Sequence, residues 1–126
     1  MVQIIREQSI EWPSTGGVHI EAPALSVDIG VLPEVARRRA NGYLGNRVAM
    51  SMLAHNPRLV VADSPCWRFD IDLHLSGLGF VATLGTIDVD AVGGEVIPLI
   101  PTQITALRER ADALIARFSP ETAAAI

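Results

Sequence analysis

The chain has 126 residues, of which 49% are hydrophobic and 19% are charged, a composition typical of one globular domain that buries its own core. Its formal net charge of -4 gives no electrostatic reason to expect a nucleic-acid-binding protein, because such proteins are usually basic. The single cysteine, Cys66, excludes an internal disulfide and a cysteine-rich zinc site.

The N-terminal residues give no sign of a targeting sequence. They lack the basic stretch followed by an apolar core that marks a secretory signal peptide. No apolar run in the chain approaches the roughly 18 residues that span a bilayer. We therefore expect a cytoplasmic protein with no membrane partner.

Residues 1–30 are expected to form an extended segment or a hairpin. Residues 2–12 alternate loosely between apolar and polar side chains, which favours an edge strand. The turn cluster at 13–17 leads into 18–20, which could be the returning half of a hairpin. Pro23 favours an edge or a loop for 22–29.

The first predicted helix begins at Pro33, because a proline in the first turn loses no hydrogen bond. Glu34 suits the positive end of the helix dipole. Apolar residues then recur every four positions as far as Met52, and Asn56-Pro57 is a stop signal. The pattern predicts one long helix over 33–54.

The remaining residues predict strands and a second helix. Strands are expected at 58–62, 66–75, 80–90 and 95–99, with a hairpin turn at 76–79. Thr102 is expected to cap a helix over 102–118 that carries one apolar stripe.

The fold class is therefore α+β, in a single domain over 1–126. An antiparallel sheet of three to five strands carries the long helix across one face, and the C-terminal helix packs alongside. Residues 33–99 supply the core of this arrangement.

The strand at 66–75 alternates almost without exception. Its apolar side chains point to one face, and its ionisable side chains point to the other, namely Arg68, Asp70, Asp72 and His74. The alternation predicts a half-buried strand, paired with the returning strand so that Leu75 lies opposite Phe80 and Ile71 opposite Leu84.

An unbroken pairing of these two strands would bury Asp88 and leave Ile87 in water, and burying an unpaired carboxylate is costly. One extra residue near Gly85 exchanges the two faces and removes this cost. We therefore predict a bulge at Gly85 and a cross-strand pair between Arg68 and Asp88.

The acidic row on this hairpin admits two interpretations. It could form a metal, acid–base or small-ligand site, or it could be a solvated sheet face with Arg68 as partner; its members are Asp70, Asp72, Asp88 and Asp90, with His74 nearby. No spacing of histidines and carboxylates is typical of a metal site, and no glycine pair opens a helix as a phosphate-binding loop does. The solvated face is favoured, and no cofactor or metal is expected.

No catalytic nucleophile stands out in the sequence. Cys66 begins a strand, and none of the scattered histidines has a recognisable partnering context for it. A small structural cysteine is the favoured interpretation, and no catalytic residue is predicted.

The candidate partner-binding residues lie outside the hairpin. They are three arginines of the long helix and one tryptophan of the N-terminal segment, namely Arg37, Arg38, Arg47 and Trp12. Three consecutive arginines at 37–39 span about 200° of a helix, so at least one is expected to lean toward the sheet or a partner. Trp12 is large and apolar, which suits an anchor at an interface.

The order of helix, strand, long hairpin and short final strand resembles the PepSY group of small domains, which have a cystatin-like build. The resemblance covers about residues 33–99 and rests on an ending of the form V-D-A-x-x-G-x-V, matched here by Val89, Asp90, Ala91, Gly94 and Val96, with Trp67 at the start of the preceding strand. It implies one helix across an antiparallel sheet, a turn shaped by the acidic residue and the glycine, and a role in protease inhibition or regulation. The N-terminal segment and the C-terminal helix depart from the family pattern.

Together these features predict a small non-enzymatic protein that binds another protein chain, or a second copy of itself, as a regulator, an antitoxin-like inhibitor or an assembly subunit. A free sheet edge would add to its contact surface. The alternative is a small-ligand-binding protein or enzyme that uses the Asp70, Asp72 and His74 face.

Overall fold

The computed structural model describes residues 2–4, 18–22, 25–61 and 63–118. Six strands and two helices follow in chain order: β1 (Val2–Ile4), β2 (Val18–Ala22), β3 (Leu25–Ile29), α1 (Pro33–Arg47), β4 (Met52–Val61), β5 (Pro65–Leu75), β6 (Gly79–Asp90) and α2 (Pro101–Phe118). Trp12 and most of the proposed N-terminal edge strand lie outside the described residues.

Four of the strands form one antiparallel sheet in the order β1-β4-β5-β6. The predicted α+β class is confirmed. β1 lies at the edge of the sheet, where residues 2–4 pair with residues 59–61. Residues 18–20 do not return to this edge, because β2 pairs with β3 in a separate two-stranded sheet.

The first helix is shorter than predicted. α1 ends at Arg47, and residues 52–54, expected to be helical, begin β4 instead. Met52 and Ala54 are buried while Leu53 and His55 are exposed, which is the two-residue period of a strand. Met52 also fits the four-residue period of the preceding helix, and this double fit led the helix prediction too far.

The predicted stop signal lies within β4. The register of β4 against β5 shifts between His55 and Arg58, and Asn56 has a positive φ of 58°. Asparagine tolerates this left-handed conformation better than most residues. Asn56-Pro57 therefore interrupts the strand locally without ending it.

The core lies between one face of the large sheet, called here the inner face, and the two helices. The alternating apolar residues of β5 are buried there, Phe69 and Ile71 completely. α1 contributes Ala36, Ala40 and Leu44, and α2 contributes Leu107 and Ala111. Trp67, one of the alternating apolar residues of β5, is buried, and its Nε1 donates a hydrogen bond of 2.7 Å to the carbonyl oxygen of Val31.

The predicted bulge in the β5–β6 hairpin is confirmed. Ile71 pairs with Gly85 and Asp72 with Thr83, which leaves Leu84 as the extra residue. Leu84 is therefore not the partner of Ile71. Its freed carbonyl oxygen accepts a hydrogen bond of 2.6 Å from Nη1 of Arg110 on α2. Beyond the bulge the faces exchange as expected, because Ile87 and Val89 are buried and Arg68 pairs with Asp88.

A second irregularity was not predicted. Leu73 pairs with Ala82 and His74 with Phe80, so Val81 is a second extra residue. Leu75 consequently pairs with Gly79, and the expected pairing of Leu75 with Phe80 is wrong. The shift places Phe80 beside His74 on the outer face, the sheet face opposite the helices.

The C-terminal third departs from prediction at two points. The expected strand at 95–99 is reduced to one bridge between Val96 and Val89. α2 begins at Pro101, before the predicted cap Thr102. The side-chain oxygen of Gln103 accepts a hydrogen bond of 2.9 Å from the backbone N–H of Ile100, as glutamine does in a capping box. In the described part of the chain, neither helix has the length and apolar composition to cross a membrane.

Candidate functional site

The outer face of the large sheet displays the ionisable side chains that the alternation of β5 predicted. Cross-strand pairing places them in rows that run from β4 across β5 to β6, namely Leu53–Asp72–Thr83, His55–Asp70–Thr86 and Arg58–Arg68–Asp88. Among the described residues, no helix packs on this face. We call one end of this face the arginine end; it consists of Arg58, Arg68, Asp88 and Asp70. We call the other end the hairpin end; it consists of Leu53, Asp72, His74, Phe80 and Thr83.

The arginine end is held by internal ion pairs. Arg68 donates two parallel hydrogen bonds to Asp88, of 2.9 Å from Nε and 3.0 Å from Nη2. This is the bidentate geometry in which a guanidinium binds a carboxylate most strongly. The predicted pair between Arg68 and Asp88 is therefore confirmed.

A second ion pair depends on the irregularity in β4. Arg58 lies directly opposite Arg68, and two like charges in that position repel each other. Nη2 of Arg58 binds Oδ1 of Asp70 at 2.9 Å, while Nδ2 of Asn56 donates to Oδ2 of the same carboxylate at 3.2 Å. Each arginine at this end thus has its own carboxylate.

The environment of Asp70 favours its charged form. Burial alone raises the pKa of this carboxyl group, but the hydrogen bonds donated by Arg58 and Asn56 and the charges of Arg58 and His55 outweigh burial. The pKa of Asp70 is therefore lowered, and the residue is unsuited to hold a proton near neutral pH.

A pocket of about 350 Å³ opens on the outer face between the two ends. It is lined by polar and aromatic side chains of three strands, namely His55, Asn56, Asp70, Asp72, His74, Phe80 and Thr83. The predicted trio of Asp70, Asp72 and His74 is thus brought together. The other members of the predicted acidic row are not: Asp88 binds Arg68, and Oδ1 of Asp90 accepts the N–H of Val92 in the following turn.

Asp72 is the most unusual side chain of this pocket. Asp72 is only 4% exposed, and within the described part of the chain it is the one charged residue that is buried. Oδ1 accepts a hydrogen bond of 2.8 Å from the hydroxyl of Thr83. Asp72 forms no salt bridge with any of the residues that the structure describes.

Two exposed apolar residues lie near Asp72 at the hairpin end. Phe80, which lines the pocket, is 57% exposed, and Leu53, which lies opposite Asp72 on β4, is 40% exposed. Phe80 meets His74 edge to face, with 6.0 Å between ring centroids and an angle of 62° between the rings. A buried carboxylate thus lies beside two exposed apolar side chains.

The described residues offer little for metal or nucleophile chemistry. No group of three or more His, Cys, Asp or Glu side chains in the described ranges is placed to hold a metal ion. Burial raises the pKa of the Cys66 thiol, as do the charges of Asp88 and Asp90, while Arg68 lowers it less. The thiol therefore stays protonated near neutral pH, unlike a reactive cysteine.

The predicted partner-binding arginines lie away from the pocket, on α1 behind the inner face. Arg37 binds Glu34 of the same helix, with 2.6 Å between Nη2 and Oε1, while Arg38 and Arg47 are exposed. Arg39 leans toward the end of the sheet and donates hydrogen bonds to the carbonyl oxygens of Gly94 and Gly93, at 2.9 and 3.3 Å. Among these arginines, the one that reaches the end of the sheet is therefore not one of the three predicted to bind a partner.

Sequence reasoning missed four residues of the pocket, namely His55, Asn56, Phe80 and Thr83. His55 directly follows the helix predicted over 33–54, although the alternation of Met52 and Ala54 with Leu53 and His55 was a signal for a strand. Thr83 lies opposite Asp72 in the predicted register as well as in the structure, whereas Phe80 faces the pocket only because of the bulge at Val81, which had no signal in the alternation.

Comparison of the chain with protein-family models finds no match, and comparisons with curated proteins and with solved structures find none either. The resemblance to PepSY domains over 33–99 therefore stays a prediction.

Proposed function

We propose that this chain is a small non-enzymatic module that binds another protein in the cytoplasm, and that the partner docks on the hairpin end of the outer face. Regulator, antitoxin-like inhibitor and assembly subunit remain the three forms of this proposal. The observation that carries it is the buried carboxylate of Asp72 beside the exposed side chains of Phe80 and Leu53.

Protein interfaces combine these two features. Aromatic and aliphatic anchors at the centre of an interface supply most of the binding energy, and polar groups beside them fix orientation. Phe80 meets His74 edge to face on one side, which restricts the orientations of its ring before a partner arrives. A preorganised anchor loses less conformational entropy on binding.

The PepSY-like resemblance is part of the same proposal. In a domain of that kind, one helix lies across an antiparallel sheet. Support comes from α1, which packs against β4, β5 and β6 on the inner face. Under this proposal Arg37, Arg38 and Arg47 take no part in docking on the outer face, and their role in partner binding stays a prediction.

The alternative is a small-ligand-binding protein or an enzyme that uses the pocket. Two histidines and two aspartates line it, which favours this candidate. Against acid–base catalysis stands Asp70, which is committed to Arg58 and Asn56 and has a lowered pKa. The pocket is also open and of modest size, whereas small-molecule sites usually enclose most of their ligand.

Affinity capture from the native host, quantified by mass spectrometry, tests the proposal. The bait is the full chain as wild type, as Phe80→Ala and as Phe118→Ala. Phe118 is a matched control, because it is 53% exposed but lies at the end of α2, on the other side of the sheet. A circular dichroism spectrum of each variant checks the fold.

We expect at least one protein that is captured by the wild type and by Phe118→Ala but is lost with Phe80→Ala. Equal capture by all three baits, or capture lost only with Phe118→Ala, would place the partner elsewhere. The small-ligand alternative would be favoured by two results together. The wild-type bait would retain no protein, and NMR signals of the pocket residues would shift when a metabolite extract is added to the chain.

A further inference from the structure

The negative charge of Asp72 is not compensated inside the described part of the chain. Asp70, the other carboxylate of the pocket, is neutralised by Arg58 at 2.9 Å. Asp72 has only the hydroxyl of Thr83. A charged group in a site from which most water is removed is stable only when it is paired or well hydrogen-bonded. Within the pocket, Asp70 therefore has a cationic partner and Asp72 has none among the described residues.

The second oxygen of Asp72 is reached from the pocket. Thr83 binds Oδ1, and Oδ2 has no hydrogen-bond partner among the described residues. No fully buried side-chain oxygen or nitrogen in the described ranges lacks a partner, so Oδ2 is not sealed in the protein interior. An incoming donor can therefore bind it directly.

The pocket has room for the end of a long cationic side chain. Its volume of about 350 Å³ exceeds many times the roughly 30 Å³ that one water molecule takes up in the liquid. A guanidinium group and part of its alkyl stem occupy less than the pocket volume. The ring of Phe80 at the rim offers an aromatic surface on which a planar guanidinium stacks better than an ammonium does.

From these observations we infer that Asp72 receives an arginine side chain of the protein partner, with the guanidinium on Oδ2 and its stem against Phe80 and Leu53. The inference rests on the proposed function and names the chemistry of the contact. Arginine is favoured over lysine because its planar fork binds a carboxylate and an aromatic ring together.

NMR titration of the full ¹⁵N-labelled chain at pH 7.5 tests this inference with a defined probe, N-acetylarginine amide. N-acetylcitrulline amide is the matched control ligand, because it has nearly the same shape and no charge. Asp72→Asn is the test variant. Asp88→Asn is the matched control variant, because it removes a carboxylate from the same sheet face but outside the pocket.

The wild type and Asp88→Asn are expected to bind the arginine probe with equal affinity, with shifts at Leu53, Asp72 and Phe80. Loss of a charge-assisted hydrogen bond weakens binding about tenfold or more, so we expect at least that loss with Asp72→Asn and with the citrulline probe. Equal binding of both probes, or no effect of Asp72→Asn, would overturn the inference.

The two proposals fail separately. If affinity capture depends on Phe80 and the captured partner binds Asp72→Asn as tightly as the wild type, the docking face stands and the arginine contact is wrong. If the arginine probe binds as expected but capture does not depend on Phe80, the pocket selects guanidinium groups and the protein-docking proposal is wrong.

Discussion

The two ends of the outer sheet face differ in how their charges are satisfied. At the arginine end, Arg58 and Arg68 each have a carboxylate partner within 2.9 Å. At the hairpin end, Asp72 is more deeply buried than either of those carboxylates and is bound only by a neutral hydroxyl. Both ends lie on the same three strands, so the difference comes from side chains and register.

This contrast indicates where binding is available. An ion pair that is complete within the chain must be broken before either member can bind a partner, and that breakage offsets the gain. A carboxylate without a cationic partner gains from an incoming cation at no such cost. Under the proposed function, the arginine end therefore stabilises the fold and the hairpin end binds the partner.

The largest loss of stability is expected when a core residue beneath both ends of the outer face is removed. Phe69 is completely buried beneath the outer face, and Phe69→Ala should lower the free energy of unfolding by about 3–5 kcal/mol. Urea denaturation followed by circular dichroism measures this loss. The exposed Phe118 serves as control, since Phe118→Ala should cost less than about 0.5 kcal/mol. Similar losses for the two variants would show that Phe69 is not a core residue.

The next largest effect should follow from breaking the ion pair of Asp70. Its side chain is 24% exposed and that of Arg58 is 15% exposed, so the pair is worth more than an exposed one, and Asp70→Asn should lower the unfolding free energy by about 1–2 kcal/mol.

In the double variant with Asp70→Asn, Arg58→Met should lower the unfolding free energy by less than it does in the wild type. The reason is that the charge it removes is already unpaired. Strictly additive losses in urea denaturation would mean that the two side chains do not interact.

The contribution of Asp70 should depend on pH. Its pKa is lowered in the folded chain, so the folded state binds its proton less readily than the unfolded state does. The stability that Asp70 supplies is therefore fully present above its unfolded pKa of about 4 and is lost as the pH falls through the lower folded pKa. The difference in unfolding free energy between wild type and Asp70→Asn should shrink below about pH 4, and a constant difference down to pH 2 would argue against the lowered pKa.

A smaller effect is expected at the irregularity in β4 that lets Arg58 reach Asp70. Asn56 has a φ of 58°, a conformation that costs most residues about 1–2 kcal/mol. Asn56→Ala should therefore lower the unfolding free energy by about 1 kcal/mol more than Asn56→Gly, since both lose the hydrogen bond to Asp70 but glycine adopts this φ freely. Equal losses would show that the backbone there is not constrained.

The sequence was a good guide where alternation and charge pointed to the same structure. The bulge beside Gly85 and the pair of Arg68 with Asp88 were predicted because an unbroken ladder would have buried a carboxylate. The extent of α1 was predicted wrongly, because Met52 fits both the period of a helix and that of a strand. Its pairing with Leu73 of β5 makes it part of a strand.

The pocket was only partly predictable, for a different reason. The alternation of β5 placed Asp70, Asp72 and His74 on one face, but not the burial of Asp72. That burial depends on the alignment of three strands, and Phe80 reaches the pocket through the bulge at Val81, which no local pattern marks. A shift of one residue in a strand turns each side chain to the other face. A register predicted wrongly by one residue therefore assigns pocket residues to the wrong face of the sheet.

The comparison of the two ends is tested most directly by measuring the unfolding free energies of wild type, Asp70→Asn and Asp72→Asn in urea at pH 7. The two substitutions are the same, and the residues are two apart on one strand. Asp70→Asn should destabilise the chain by about 1–2 kcal/mol, whereas Asp72→Asn keeps an oxygen for Thr83, removes a buried charge, and should stay within about 0.5 kcal/mol of wild type or be more stable. Equal losses from both substitutions would show that Asp72 is satisfied within the chain, and that the hairpin end has no advantage as a binding site.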